Sequence, residues 1–400
     1  MNDIEKIISS FDRTTDEIFS LDEFKNRLES NKPLRIKYGV DVTAPFLHIG
    51  HAVNLWMMRE LQELGHKVVF LIGDFTTTIG DPTGKSKTRP TITEVDIKKN
   101  SQEFISQVSR VLLTRPEVFE VRRNSEWFSK MSITEFVSLL SMVTYRKLIS
   151  RDMFQNRIEN DSDIYMHEMI YPVMQGYDSV MVNSDLTIVG TDQLFNEMMG
   201  RFFQEKVGQL PQVIITTKIT PGIDGKEKQS KSLGNYIGIT DTPRTQFGKI
   251  MSIPDNLIVA YIEVYTTIPL SRLQEVKQEL DKGKTNPMVC KLELASALVE
   301  RYYDKETATQ EKEWFLKTFS ERETPDEIPV IKIKETRIML LQLLKLCLSE
   351  ESASTLRRLV QQGAVEKDGV RLSDANALLD ITSEFVLKCG KRRWFRIARE

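Results

Sequence analysis

Cysteine is scarce in this chain: three residues in 400, Cys290, Cys347 and Cys389, too widely separated to read as a disulfide framework. That usage favours a reducing compartment, and a cytoplasmic protein is expected. Long apolar runs are missing too; none approaches the ~18 residues of a membrane span. The segment Met1-Asn2-Asp3-Ile4-Glu5 is acidic, without the apolar centre of a secretory or organellar address. Only four histidines occur, and no Cys/Asp cluster stands near them at ligand spacing, so no protein-bound metal is expected. A net charge of −2 excludes a globally basic nucleic-acid coat but leaves room for a local basic face. Internal repeats and low-complexity tracts are lacking. What is present, 40% hydrophobic and 28% charged residues, is an ordinary globular composition. Four hundred residues are too many for one core, so two or three domains are expected.

The first half patterns as α/β. A short strand is expected at 36–40, then the loop Asp41-Val42-Thr43-Ala44-Pro45. Val53, Trp56, Met57, Leu61 and Leu64 recur at helical spacing, and Gly65 ends that helix. Residues 67–72, K-V-V-F-L-I, form an apolar run suited to a buried parallel strand, completing one βαβ unit. Residues 73–90 are rich in Gly, Thr, Pro and Lys and read as a loop over a site. From 94 to 170 helices dominate, with one strand-like piece near 118–121, and this block is expected to interrupt the parallel sheet. Strands are expected again at 179–182, 186–189 and 212–216, with a helix over 194–203. Helices prevail from 242 to about 322. Glu323-Thr324-Pro325-Asp326-Glu327 reads as a linker, and residues 335–400 as a small α+β module.

Two motifs carry the chemistry. His48-Ile49-Gly50-His51 stands where a strand should hand over to a helix, and Lys228-Gln229-Ser230-Lys231-Ser232 interleaves lysines with serines in a later loop. Glycine allows close backbone approach by a nucleotide, and a helix start attracts anions. The lysines can meet charge developing on phosphates. The competing reading of the histidines is a shared zinc; that of the lysines is solvated loop charge. Asp81, in Ile79-Gly80-Asp81-Pro82, suits a turn, while Lys85 and Arg89 read either as surface charge or as a second phosphate clamp. Tyr171, Gln175 and Asp178 fall at i, i+4 and i+7 on one helix face among apolar neighbours. A buried Asp there needs a partner, which a ligand hydroxyl or amine would provide. Gly190-Thr191-Asp192-Gln193 follows a strand and opens a helix, with Asp192 and Gln193 suited to a ribose and an amino acid.

With these motifs, and with Gln175-Gly176-Tyr177-Asp178, the chain resembles bacterial-type tyrosyl-tRNA synthetases, class I aminoacyl-tRNA synthetases, over essentially its whole length. The C-terminal stretch resembles the S4 RNA-binding domain that ends this family, notably from Ser354 through Gly363. The resemblance implies a Rossmann-like catalytic domain over 1–241, with a connective, dimer-forming insertion at about 100–170. An α-helical anticodon-binding domain over 242–328 and an S4-like domain over 335–400 would follow. It implies ATP-dependent activation of L-tyrosine, accompanied by Mg2+, then transfer to tRNA(Tyr) by a homodimer. His48, His51, Lys228, Lys231, Lys85 and Arg89 would serve the phosphates; Gly39, Asp41, Gly50, Gly190, Asp192 and Ser230 would hold the adenylate. Thr76, Asp81, Asn124, Tyr171, Gln175, Asp178 and Gln193 would form the tyrosine pocket, with Asp178 at the phenol. Arg357, Arg358, Lys391, Arg392 and Arg393, beside Trp394 and Phe395, would meet RNA. Departures from the family pattern are Gln229 for Met or Phe, Val189 for glycine, Val42 for proline, and Lys37 where many members carry a tyrosine. They motivate an alternative, a paralogue serving another acceptor; a non-catalytic RNA-binding scaffold is the third reading.

Overall fold

The computed structural model describes residues 3–30, 32–43, 46–80, 93–231, 233–319, 328–390 and 393–399. The chain divides into two compact units, residues 1–309 and 310–400. The first is organised by a six-stranded sheet: β1 (Thr15–Phe19), β2 (Arg35–Val40), β3 (Lys67–Ile72), β4 (Phe119–Arg123), β5 (Leu186–Gly190) and β6 (Val213–Thr217). The order across it is β1-β6-β5-β2-β3-β4. Five strands run parallel, and β1 closes one edge antiparallel to β6. The central strands β3 and β6 are buried almost throughout, which is why their sequences K-V-V-F-L-I and V-I-I-T-T are continuous runs rather than alternations.

Two sequence expectations are corrected. The strand near 118–121 does not interrupt the sheet. As β4 it pairs in parallel with β3 from Val68 opposite Phe119 to Ile72 opposite Arg123, extending the sheet at its edge. An edge strand needs only a half-buried face; Phe119 supplies it by stacking 6.2 Å from Phe70, and its charged neighbours hid its place in the sheet. Residues 179–182 are not a strand either. Ser179 to Met181 finish the helix Met166–Met181, where Asp178 and Ser179 continue the buried stripe of Tyr171 and Met174. The strand β1 went unread because acidic Asp16 and Glu17 interrupt its pattern.

That helix packs closely on Leu194–Lys206. Glycines permit the approach: a Cβ on Gly176 would stand 2.8 Å from the Met199 backbone, and one on Gly200 2.5 Å from Ser179 Oγ. The helices Pro243–Met251, Ile258–Tyr265, Leu270–Asp281 and Pro287–Tyr302 complete the first unit. Arg13 anchors this helical part from the N-terminal side, its guanidinium donating to the carbonyls of Ile262, Glu263 and Ile268 at 2.9, 2.7 and 3.1 Å.

The second unit contains β7 (Val330–Ile333), β8 (Arg337–Met339), β9 (Val365–Lys367), β10 (Val370–Arg371), β11 (Leu378–Asp380), β12 (Phe385–Cys389) and β13 (Arg393–Arg399). Its larger sheet runs β10-β9-β12-β13-β7, and β11 pairs with β8. Leu340, Leu344, Leu356, Val360, Leu387 and Ile397 form its core. No helix among the described residues is long and apolar enough to cross a membrane.

Gly176→Ala should lower stability by about 1–3 kcal/mol, the cost of forcing an extra methyl into a packed contact. Urea denaturation measures it; an unchanged midpoint would show that the two helices yield freely.

Candidate active site

The sheet dictates where the site lies. From β2 the chain steps outward to β3 and β4, whereas β5 and β6 build on the opposite side, so the order reverses between β2 and β5. In an open parallel sheet the carboxyl ends diverge at such a point and leave a crevice. Here it is a cleft of about 470 Å³. It is lined by Gly39 and Asp41 at the carboxyl end of β2, by Gly190, Asp192 and Gln193 at that of β5, and by His48, Gly50 and His51. Thr76, Tyr171, Gln175, Asp178 and Lys228 complete the predicted residues that meet there.

The histidines form one wall. His48 caps the helix Ile49–Glu63 in extended conformation, and its own helix turn is pinned because the Ile49 N–H donates to the Ile237 carbonyl at 2.9 Å. The rings stack with centroids 3.7 Å apart. Gly50 leaves room for them, since a Cβ there would lie 2.9 Å from His48 Nδ1. That Nδ1 is buried and has no hydrogen-bond partner among the described residues, whereas His51 Nδ1 accepts from the His48 backbone N–H at 3.4 Å. Burial pushes His48 down to about 2, assisted by His51 and Lys228. Burial also lowers His51, to about 4, against the opposing pull of Asp192. His51 presents an edge to the open cleft, so water moderates its shift, but the direction is the same. Both rings are held neutral at pH 7, each with one N–H to offer.

Across the mouth, the lysine loop supplies charge. Lys228 Nζ pairs with Asp192 at 2.9 Å, both side chains partly exposed. Lys231 Nζ lies 5.4 Å over the ring of Phe46, which lines the cleft. The Ser230 N–H donates to Asn235 Oδ1 at 2.8 Å, fixing the loop between the lysines.

The deep end is a chain of buried polar groups. Asp41 accepts from Thr76 Oγ1 at 2.9 Å and from the Tyr171 hydroxyl at 3.0 Å. Gly73 is required beside them, because a Cβ would fall 2.6 Å from Asp41 Oδ1. Asn124 does not line the cleft; it stands behind, donating to Thr76 at 3.0 Å and to Asp178 at 3.3 Å. Trp127 Nε1 donates to the other Asp178 oxygen at 2.9 Å. Burial raises the Asp178 carboxyl from 3.8 to about 8, with Lys37, Asn124 and Trp127 pulling the other way. Gln175 Nε2 donates to Glu197 at 2.9 Å and reaches Gln193 at 3.4 Å.

Sequence reasoning missed the partners that hold this end together. Lys37 and Glu197 form an ion pair at 2.8 Å with both side chains 2% exposed, and Lys37 also donates to Ser179 at 2.7 Å. Glu197 lies four residues after Gln193, a helical spacing that offered a signal. Trp127 offered none, because its contact with Asp178 spans the sheet edge. Asp81, Lys85 and Arg89 lie outside the described residues, as do Lys391 and Arg392. Arg357, Arg358 and Arg393 belong to the second unit: the first two are exposed on the helix Ala353–Gln361, and Arg393 pairs with Glu351 at 3.0 Å. Among the described residues no group of three His, Cys, Asp or Glu converges to hold a metal.

The Asp178 shift carries a pH signature. A carboxyl whose folded value lies above its unfolded one favours folding below the unfolded value and loses that contribution as pH rises through the folded value. Relative to Asp178→Asn, the wild-type protein should therefore lose stability between about pH 4 and about pH 8. Urea melts of both proteins at pH 5 and pH 8 test this; a constant difference would mean the carboxyl is ionised throughout.

A family model described as tRNA synthetases class I (W and Y) matches residues 29–320. A protein of Moorella thermoacetica named tyrosine–tRNA ligase is 42% identical over 375 residues, 94% of this chain and 90% of its own. One of the same name from Francisella tularensis is 41% identical over 397 residues, 99% of each chain. Tyrosine–tRNA ligase 2 of Photorhabdus laumondii is 40% identical across 98% of each. Among solved structures, the tyrosyl-tRNA synthetase of Archaeoglobus fulgidus complexed with L-tyrosine superposes with a TM-score of 0.60 at 20% identity, covering 77% of this chain and 99% of that one. The tryptophanyl-tRNA synthetase of Plasmodium falciparum gives 0.59 at 19%, covering 78% and 87%. Those two likenesses speak to fold alone, and they embrace both amino-acid specificities. The family match spans most of the chain, with relatives near 40% identity over nearly its full length: the protein belongs to the class I tRNA synthetases of the tryptophan and tyrosine group.

Proposed function

We propose that the protein is a tyrosine–tRNA ligase, which activates L-tyrosine with ATP and passes the tyrosyl group to the 3′ end of tRNA(Tyr). The observation that carries this reading is Asp178, a buried carboxyl at the deep end of a cleft whose mouth holds two imidazoles and a lysine. Its two oxygens are oriented by Trp127 and Asn124, and it lines the same cleft as the histidines. A phenol hydroxyl donates to it; phenylalanine would leave the buried group without that bond, which disfavours the wrong substrate. Relatives named tyrosine–tRNA ligase over 90–99% of their own lengths support the same choice.

In the first step the tyrosine carboxylate attacks the α-phosphorus of ATP, and the bond to the β-phosphate oxygen breaks as pyrophosphate leaves. No side chain forms a covalent intermediate, so positioning and electrostatics carry the rate. Neutral His48 and His51 donate to phosphate oxygens, and Lys228 and Lys231, with Lys85 and Arg89, take up charge on the departing pyrophosphate. Mg2+ enters with ATP, held largely by its phosphates. Asp192 takes the ribose once Lys228 turns to phosphate. Gly39, Gly50, Gly190 and Ser230 border the adenylate. Asp41, Thr76, Asp81, Tyr171, Gln175 and Gln193 hold the amino-acid backbone end and the pocket wall. In the second step the terminal adenosine of the tRNA takes the tyrosyl group from the adenylate.

The residues 242–328 serve the anticodon side, and the S4-like residues 335–400 grip RNA through Arg357, Arg358, Lys391, Arg392 and Arg393. Residues of about 100–170 serve a homodimer. Ile133, Val137, Tyr165 and Met166, 84%, 57%, 56% and 72% exposed, give that region an apolar surface suited to a second copy.

Tyrosine-dependent exchange of pyrophosphate into ATP tests the reading, with tryptophan and phenylalanine as controls; exchange with tryptophan in place of tyrosine would reject it. His48→Ala or Lys231→Ala should slow adenylate formation by about 10²–10³-fold, the scale of one preorganised donor. Rapid-quench kinetics decide this. Removing residues 328–400 should abolish tRNA charging while leaving pyrophosphate exchange near the wild-type rate; charging that persists would remove the RNA role from that segment.

A further inference from the structure

The side chain of Gln229, between the two lysines in sequence, is 6% exposed and borders the cleft beside Tyr265, where three elements meet. Its Oε1 accepts from the Ile237 N–H at 3.2 Å, and Ile237 in turn accepts, through its carbonyl, from Ile49 at the start of the histidine helix. Its Nε2 donates to the Tyr265 hydroxyl at 2.9 Å, at the end of the helix Ile258–Tyr265. The same Nε2 lies 3.8 Å from where a Cβ on Gly50 would be, directly beneath the histidine turn. Tyr265 is tied on every side: its hydroxyl also bonds Thr220, and its carbonyl accepts from Arg301 at 2.9 Å. Arg301 then lies 4.6 Å over the ring of Trp56 on the histidine helix.

An amide suits this junction. It accepts from the Ile237 N–H and donates to the Tyr265 hydroxyl without bringing a charge into a buried place. A carboxylate could accept from both groups only by burying its charge, and an apolar chain makes neither bond. Burial pushes the Tyr265 hydroxyl up to about 12, so it remains a neutral partner.

Resting on the adenylation reading above, we propose that Gln229 is a positioning residue. Its amide ties the root of the lysine loop to the histidine turn and to Tyr265, so that Lys228 and Lys231 turn towards the phosphates from a set origin beside the imidazoles. Both side chains border the cleft, but in this scheme their hydrogen bonds go to protein partners and they act through the lysines.

The experiment is a double-mutant cycle read by single-turnover adenylation. Gln229→Met and Tyr265→Phe should each slow the chemical step about tenfold, the scale of a small misplacement of catalytic groups. Tyrosine affinity, measured by equilibrium dialysis, should stay within about twofold of wild type, as expected for a group remote from the amino acid. The double variant should be no slower than Gln229→Met alone, because both changes break one bond. Tyr265→Phe removes a single oxygen and keeps the ring packed 4.9 Å from Tyr261, so it decides the matter if Gln229→Met fails to fold. Wild-type rates in both single variants, losses that multiply to about 100-fold in the double, or tyrosine affinity falling in step with rate would each overturn the proposal. A wild-type protein that catalyses no tyrosine-dependent exchange would instead overturn the functional reading, and this inference with it.

Discussion

The structure depends on the parting of β2 and β5. The two strands pair only at Ile36–Leu186 and Lys37–Thr187, near their amino ends, and beyond those residues their backbones diverge. The candidate site hangs from the gap: Gly39 and Asp41 on one lip, Gly190 and Asp192 on the other, and the histidine helix leaving after the first. The buried strands on both sides give the gap a rigid frame, so loops supply the chemistry while the sheet supplies the distances.

Burying so many polar groups beneath that gap is possible because nearly every one has a partner. Asp178 is bonded by Trp127 and Asn124, Asn124 by the Phe75 N–H, and Asp41 by Thr76 and Tyr171. The Lys37–Glu197 pair carries a desolvation cost that its attraction alone rarely outweighs. Here Ser179, Gln175 and Gln212 add hydrogen bonds to it, which converts two costly charges into a braced corner of the pocket. Such a corner specifies geometry more than it adds stability.

How much of this was readable in the sequence follows from the range of the interactions. The βαβ unit was plain because 53–64 and 67–72 declare their periods locally, and the histidine and lysine motifs were plain because their chemistry lies in contiguous letters. The helix face of Tyr171, Gln175 and Asp178 was likewise legible from spacing, and all three line the cleft. The edge strand β4 was legible as a strand-like piece but not as part of the sheet, since a half-exposed strand among helices does not declare its partner. Nor were Trp127 under Asp178 or Glu197 under Lys37, because those contacts join residues 51 and 160 positions apart whose meeting is set by topology. Gln229 stood in plain view as a departure from the lysine motif, but only its depth in the fold explains why an amide is there.

The ion pair between Lys228 and Asp192 has a consequence for how the empty cleft receives its ligand. Each partner is kept occupied by the other until a nucleotide arrives, so a vacant carboxylate does not face the phosphates and a loose ammonium does not wander. Being partly solvated, such a pair is worth about 0–1 kcal/mol. Under the proposed reading, entry of a ribose and a phosphate tail swaps one weak partnership for two, and the protein surrenders almost nothing to open the way.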